Sequence, residues 1–101
     1  MSDQEGPTVT EADIQRSIVE YLRARGALVL RMNAGRTKHN VHLAPPGTPD
    51  LLVVEPHRLY WVEVKAEKGK LNEDQKKMHE QLGRYGQEVI VARSVEDVEG
   101  M

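Results

Sequence analysis

The sequence predicts a small α/β domain, a mixed sheet flanked by helices in the order α-β-β-β-α-β-α. Three observations predict it. Two segments carry apolar residues at helical spacing and alternate with short runs rich in Val, Leu and Ile. Turn residues, among them Gly26, Pro56 and Gly86, fall between those segments. The chain has 101 residues, 39% of them hydrophobic, which is enough for one core and no more.

Residues Met1 to Pro7 read as a frayed tail, and the expected division is a flexible 1–10 followed by a single domain over 11–101. Thr8-Val-Thr-Glu11 and Thr10-Glu-Ala-Asp13 both fit a capping box. From Glu11 to Arg25, Ile14, Ile18, Tyr21 and Leu22 form one apolar stripe, and Gly26 closes the helix. Ala27 to Met32 is a short strand. Asn33 to Pro49 is a long loop, of a length that in so small a domain is usually functional or mobile. Asp50 to Glu55 and Leu59 to Ala66 form a hairpin about the turn Pro56-His57-Arg58. Lys68-Gly-Lys70 is a loop. Asn72 caps a second helix running to about Tyr85, with Gln75, Met78, His79 and Leu82 on one face. Gly86 ends it, Glu88 to Ala92 is the last strand, and Ser94 caps a short terminal helix. No repeat or low-complexity tract interrupts this order.

Composition excludes several classes. No apolar run approaches the roughly 20 residues of a membrane helix, and the acidic, polar start does not resemble a signal peptide. The absence of cysteine excludes disulfides, thiolate zinc sites and cysteine nucleophiles, and fits a reducing cytoplasm. Net charge is −2, yet six Arg or Lys between Arg16 and His39 face one acid, Glu20, so a locally basic face is available to phosphate.

The strand Leu59-Tyr-Trp-Val-Glu63-Val-Lys65-Ala carries the chemistry. Alternation puts Tyr60, Val62, Val64 and Ala66 on one face and Leu59, Trp61, Glu63 and Lys65 on the other. In a hairpin, the start of one strand lies beside the end of the next, so Asp50 falls near Glu63 and Lys65. Two carboxylates and an ammonium suit a hard cation such as Mg²⁺ and the neutralisation of phosphoryl charge. The bland alternative is an exposed Glu-Lys pair on an edge strand, with an unrelated Asp nearby.

Pro49-Asp50 followed by Glu63-Val-Lys65 resembles the signature of PD-(D/E)XK metal-dependent nucleases. Gly47-Thr-Pro-Asp50-Leu-Leu, Trp61-Val-Glu-Val-Lys65, Gly69-Lys-Leu-Asn-Glu-Asp-Gln75 and the helix Glu11-Ala-Asp-Ile14-Gln narrow this. Together they resemble a stand-alone VRR-NUC (virus-type replication-repair nuclease) domain from about Glu11 to Val98, with no departure at the core positions. The resemblance implies a restriction-endonuclease-like core and a Mg²⁺- or Mn²⁺-dependent DNA endonuclease selecting flaps, splayed arms or four-way (Holliday) junctions in replication, repair or recombination. It also implies a homodimer in a bacterial or phage-infected cytoplasm, with no organic cofactor. Asp50 and Glu63 would ligate metal with the Val64 carbonyl, Lys65 would be the catalytic lysine, and Glu11 and Gln75 would be the acid and the polar residue from the two helices, Glu11 a further candidate ligand. A catalytically idle DNA-binding module and an RNA-directed or restriction-type nuclease are the alternatives.

Two of these residues have competing local readings. Glu11 is three residues before Ile14, on the buried stripe, but also completes a capping box from Thr8. Gln75 faces inward with Met78, but is also the capping-box partner of Asn72. Arg31, Arg36, Lys38, Lys68 and Lys70 border the site as candidate phosphate contacts or as ordinary solvated charge. His39 and His42 read as surface histidines, His79 as a partly buried core histidine, and Trp61 as core.

Overall fold

A computed structural model describes residues 9–32 and 44–101. Thr8, Arg36, Lys38, His39, His42 and most of the long loop lie outside the described residues. The elements follow the expected order: α1 Glu11–Ala24, β1 Leu28–Arg31, β2 Leu51–Glu55, β3 Arg58–Val64, α2 Glu73–Arg84, β4 Val89–Ala92 and α3 Glu96–Glu99. The four strands form one sheet in the order β1-β2-β3-β4. The first three are antiparallel and β4 joins β3 in parallel, which makes the sheet mixed.

Thr10, not Thr8, caps α1. Its side chain accepts the Asp13 N–H at 3.1 Å, while Asp13 accepts the Thr10 N–H at 3.3 Å. Those contacts hold the Asp13 carboxyl below its ordinary range, the Thr10 N–H contributing most. Glu11 is thereby the first helical residue and free of a capping duty. Asn72 and Gln75 make the reciprocal box at the start of α2. The terminal helix departs from expectation. Val95 stands at its N-cap position with no side-chain cap, and Asp97 instead accepts the Arg93 N–H at 2.8 Å.

One face of the sheet is the core. Leu51, Val53, Tyr60, Val62 and Val64 pack with Ile14, Ile18, Val19 and Leu22 of α1, and Val98 of α3 closes the cluster. Burying each such side chain stabilises the fold by about 1.5–3 kcal/mol before entropy is counted. Arg25, at the end of α1, ties this core together. It donates to Glu55 at 2.9 Å and to the Tyr60 hydroxyl at 3.1 Å, and reaches the Val98 and Glu99 carbonyls at 3.4 Å. Burial pushes the Tyr60 hydroxyl above its ordinary pKa, with Glu55 adding to the rise.

The opposite face is only partly covered. No residue of α2 is buried, and Leu28, Leu30 and Leu59 are 57%, 41% and 46% exposed. Register joins these three through Val54 and Leu52 into one apolar patch running from β1 across β2 to β3.

Candidate active site

The hairpin register sets the site. Leu51 pairs with Val62, so the next step of the ladder places Asp50 opposite Glu63. Asp50 Oδ2 accepts the Val64 N–H at 2.7 Å, which fixes the carboxylate at the end of β3. The turn before Asp50 is equally determined. Gly47 has φ of +87°, and a Cβ there would overlap the Asp74 carbonyl in the first turn of α2. Thr48 continues the turn, its hydroxyl donating to the Pro45 carbonyl at 2.7 Å.

Glu63 is 1% exposed and Lys65 8% exposed. Lys65 lies one residue past the end of β3 and is held to β4 by its N–H, which donates to the Ala92 carbonyl at 3.0 Å. A buried carboxylate requires partners, and Glu63 has them on several sides. Gln75 Nε2 donates to its Oε2 at 3.3 Å, and His79 Nε2 lies 2.9 Å from its Oε1. Burial, then the charge of Asp50, pushes the Glu63 carboxyl up to about 9. Lys65 opposes this rise and Glu11 adds to it. Burial and Lys65 depress His79, so the ring is neutral at pH 7.

Gln75 resolves its two readings by satisfying both. Its Oε1 accepts the Asn72 N–H at 2.9 Å while its Nε2 reaches Glu63. The cap orients the amide for the site. His79 is not a plain core histidine but a partner of Glu63. Its signal was its position one turn after Gln75 on the same helix face. Trp61 is half-buried rather than core, and its indole N–H donates to Gln87 at 3.2 Å.

Glu11 departs from the buried stripe. It is exposed and lies beside the Ala66–Gly69 loop, where a Cβ on Gly69 would stand 3.5 Å from Glu11 Oε2. Its charge still acts on Glu63. Arg93, which no motif singled out, secures that loop by donating to the Ala66 and Gly69 carbonyls at 2.7 Å and to that of Glu67 at 3.2 Å. Arg31, Lys68 and Lys70 are exposed. Arg31 pairs with Leu51, next to Asp50, and the two lysines follow β3. A cleft of about 1080 Å³ separates α1, this loop and the β4–α3 turn, but none of Asp50, Glu63 or Lys65 lines it.

The constellation is therefore Asp50, Glu63 and Lys65 at adjacent strand ends, with Gln75 and His79 above them on α2. The VRR-NUC domain family matches residues 4–96, which include every one of these side chains. The chain belongs to the VRR-NUC domain family. A solved structure described as a VRR-NUC domain is 29% identical, covers 93% of this chain and 94% of its own, and superposes with a TM-score of 0.69. Comparison with curated proteins yields no match. Membership makes this a nuclease-type domain, with nucleic acid as the implied substrate and divalent metals as the cofactors general to such domains. Among the described residues no helix is long and apolar enough to cross a membrane.

Proposed function

We propose that this VRR-NUC domain is a Mg²⁺- or Mn²⁺-dependent endonuclease that hydrolyses DNA phosphodiester bonds at branched structures. The observation that carries the reading is the ladder step that sets Asp50 opposite Glu63, with Lys65 immediately beyond. The donor set fits a hard cation. Two carboxylates, one nearly sealed from solvent, stand opposite each other at the end of a hairpin, and the donors they offer are oxygen. Among the described residues no three Asp, Glu or His side chains stand together as a finished ligand cage. Mg²⁺ does not need one, since it keeps several waters and binds through one or two carboxylates. Asp50, Glu63 and the Val64 carbonyl would hold it, with Glu11 beside them. When bound, the cation would neutralise charge developing on the phosphate and acidify a water molecule.

The chain's own residues do the rest. Lys65 is held by the strand backbone on the Glu63 side and offsets negative charge in the transition state. Gln75 keeps the Glu63 carboxylate in place. Arg31, Lys68 and Lys70, with Arg36 and Lys38, contact the phosphate backbone without reading sequence. The nuclease domain spans 11–101 and acts in a bacterial or phage-infected cytoplasm. Two active sites on one branched substrate require two chains. The exposed Leu28 and Leu30 of edge strand β1, continued across the same sheet face to Leu59 of β3, support a homodimer through the hairpin side.

Incubation with end-labelled duplex, flap, splayed-arm and four-way DNA and with RNA, with and without Mn²⁺, tests this reading. It expects metal-dependent cleavage of branched DNA, abolished by Lys65→Ala with DNA affinity largely kept. Binding without cleavage would favour an idle module, and cleavage of RNA alone would move the substrate. Light scattering tests the dimer.

A further inference from the structure

The contact between α2 and Glu63 is more organised than the burial of a carboxylate requires. Each oxygen of Glu63 is met by a different α2 side chain, Oε2 by Gln75 at 3.3 Å and Oε1 by His79 at 2.9 Å. The two residues are one turn apart, so a single rigid helix presents both nitrogens. The first is itself fixed by the Asn72 cap. No residue of α2 is fully buried, and what this helix brings to Glu63 at the end of β3 is polar contact. The His79 side chain is 14% exposed and that of Glu63 2%.

We propose that His79 is a positioning residue for Glu63. With its proton on Nε2, the imidazole donates to Oε1 and, jointly with Gln75, stops the carboxylate from rotating about its last torsion. The oxygens then keep the orientation in which Glu63 and Asp50 face a shared cation. Freezing that torsion before binding removes an entropic cost from cation capture. The inference rests on the metal-dependent nuclease reading and deepens it.

Calorimetric titration of Mn²⁺ into the metal-free protein near neutral pH tests it, using wild type, His79→Met, His79→Leu and His79→Gln. Met and Leu fill the space without a donor, whereas Gln can present an amide N–H near the position of Nε2. We expect Met and Leu to weaken Mn²⁺ affinity by roughly 10–100-fold, with melting in EDTA little changed, and Gln to stay close to wild type. Wild-type affinity in His79→Met would overturn the inference while leaving the metal reading intact. So would equal losses in Met and Gln, or failure of both Met and Leu to fold, which would assign His79 to the scaffold. If wild type binds no Mn²⁺, the metal reading fails and takes this inference with it.

Discussion

The two faces of β3 divide stability from chemistry. Tyr60, Val62 and Val64 point into a dry cluster against α1 and are at most 1% exposed. Trp61 and Glu63, the alternate residues, lie on the other face, where Glu63 meets α2, a helix with no fully buried residue, through side-chain hydrogen bonds and Trp61 donates to Gln87 just beyond it. Arg25 and its partners lock the first face, whereas the second brings carboxylates together. Period-two alternation lets one seven-residue strand serve both demands. Crowding that destabilises one face can be tolerated because the other is well packed.

Unequal truncations should expose that division most strongly. Leu22→Ala, against the α1 face, is expected to cost about 2–5 kcal/mol in urea unfolding. Leu82→Ala, on the half-buried α2 side, should cost clearly less. Equal costs would break the comparison.

Gly47→Ala attacks the join between the faces. A left-handed backbone and overlap with the Asp74 carbonyl should together cost more than about 1 kcal/mol. Cleavage should fall further than stability, because the same turn places Asp50.

The pH dependence of the metal-free fold sharpens the contrast. Glu63 has its folded pKa raised from 4.5 to about 9, so it binds a proton in the fold where the unfolded chain is already ionised. Its contribution to stability is greatest below about 4.5 and is lost as pH rises toward 9. His79, depressed from 6.5, works in the opposite direction only at lower pH. Melting temperature in EDTA should therefore decline from pH 7 to 9, and Glu63→Gln should flatten that slope; a slope unchanged in the variant would contradict it.

The smallest effect belongs to the caps. Thr10→Ala should cost about 1 kcal/mol by thermal melting and leave the site chemistry unaltered.

Much of this arrangement was legible in the sequence because it is local or periodic. Alternation in Leu59 to Lys65 and the short turn after Glu55 determine that Asp50 meets Glu63, since a one-residue slip would turn every core valine outward. The capping box at Asn72 was readable too, though not that Gln75 would serve cap and site together. The partner of His79 is not legible, because helical periodicity gives a face and not the neighbour on which that face docks. Glu11 has the spacing of the core stripe but sits at the first turn, beside the Ala66–Gly69 loop rather than against the sheet. Arg93 carries no motif at all. Its role comes from three carbonyls that converge only in the folded chain.

On the metal-dependent reading, Glu63 is buried to hold a cation rather than to stabilise the fold. Melting of wild type and Glu63→Gln, each in EDTA and in excess Mn²⁺, tests it most directly. At a Mn²⁺ concentration of about 100 times Kd, binding should add about 2.7 kcal/mol to wild type, a rise of roughly 10–20 °C for a domain of this size. Glu63→Gln should melt at or above the wild-type temperature in EDTA and gain nothing from Mn²⁺. A wild-type protein indifferent to Mn²⁺, or a Glu63→Gln variant destabilised like a core truncation, would contradict the account.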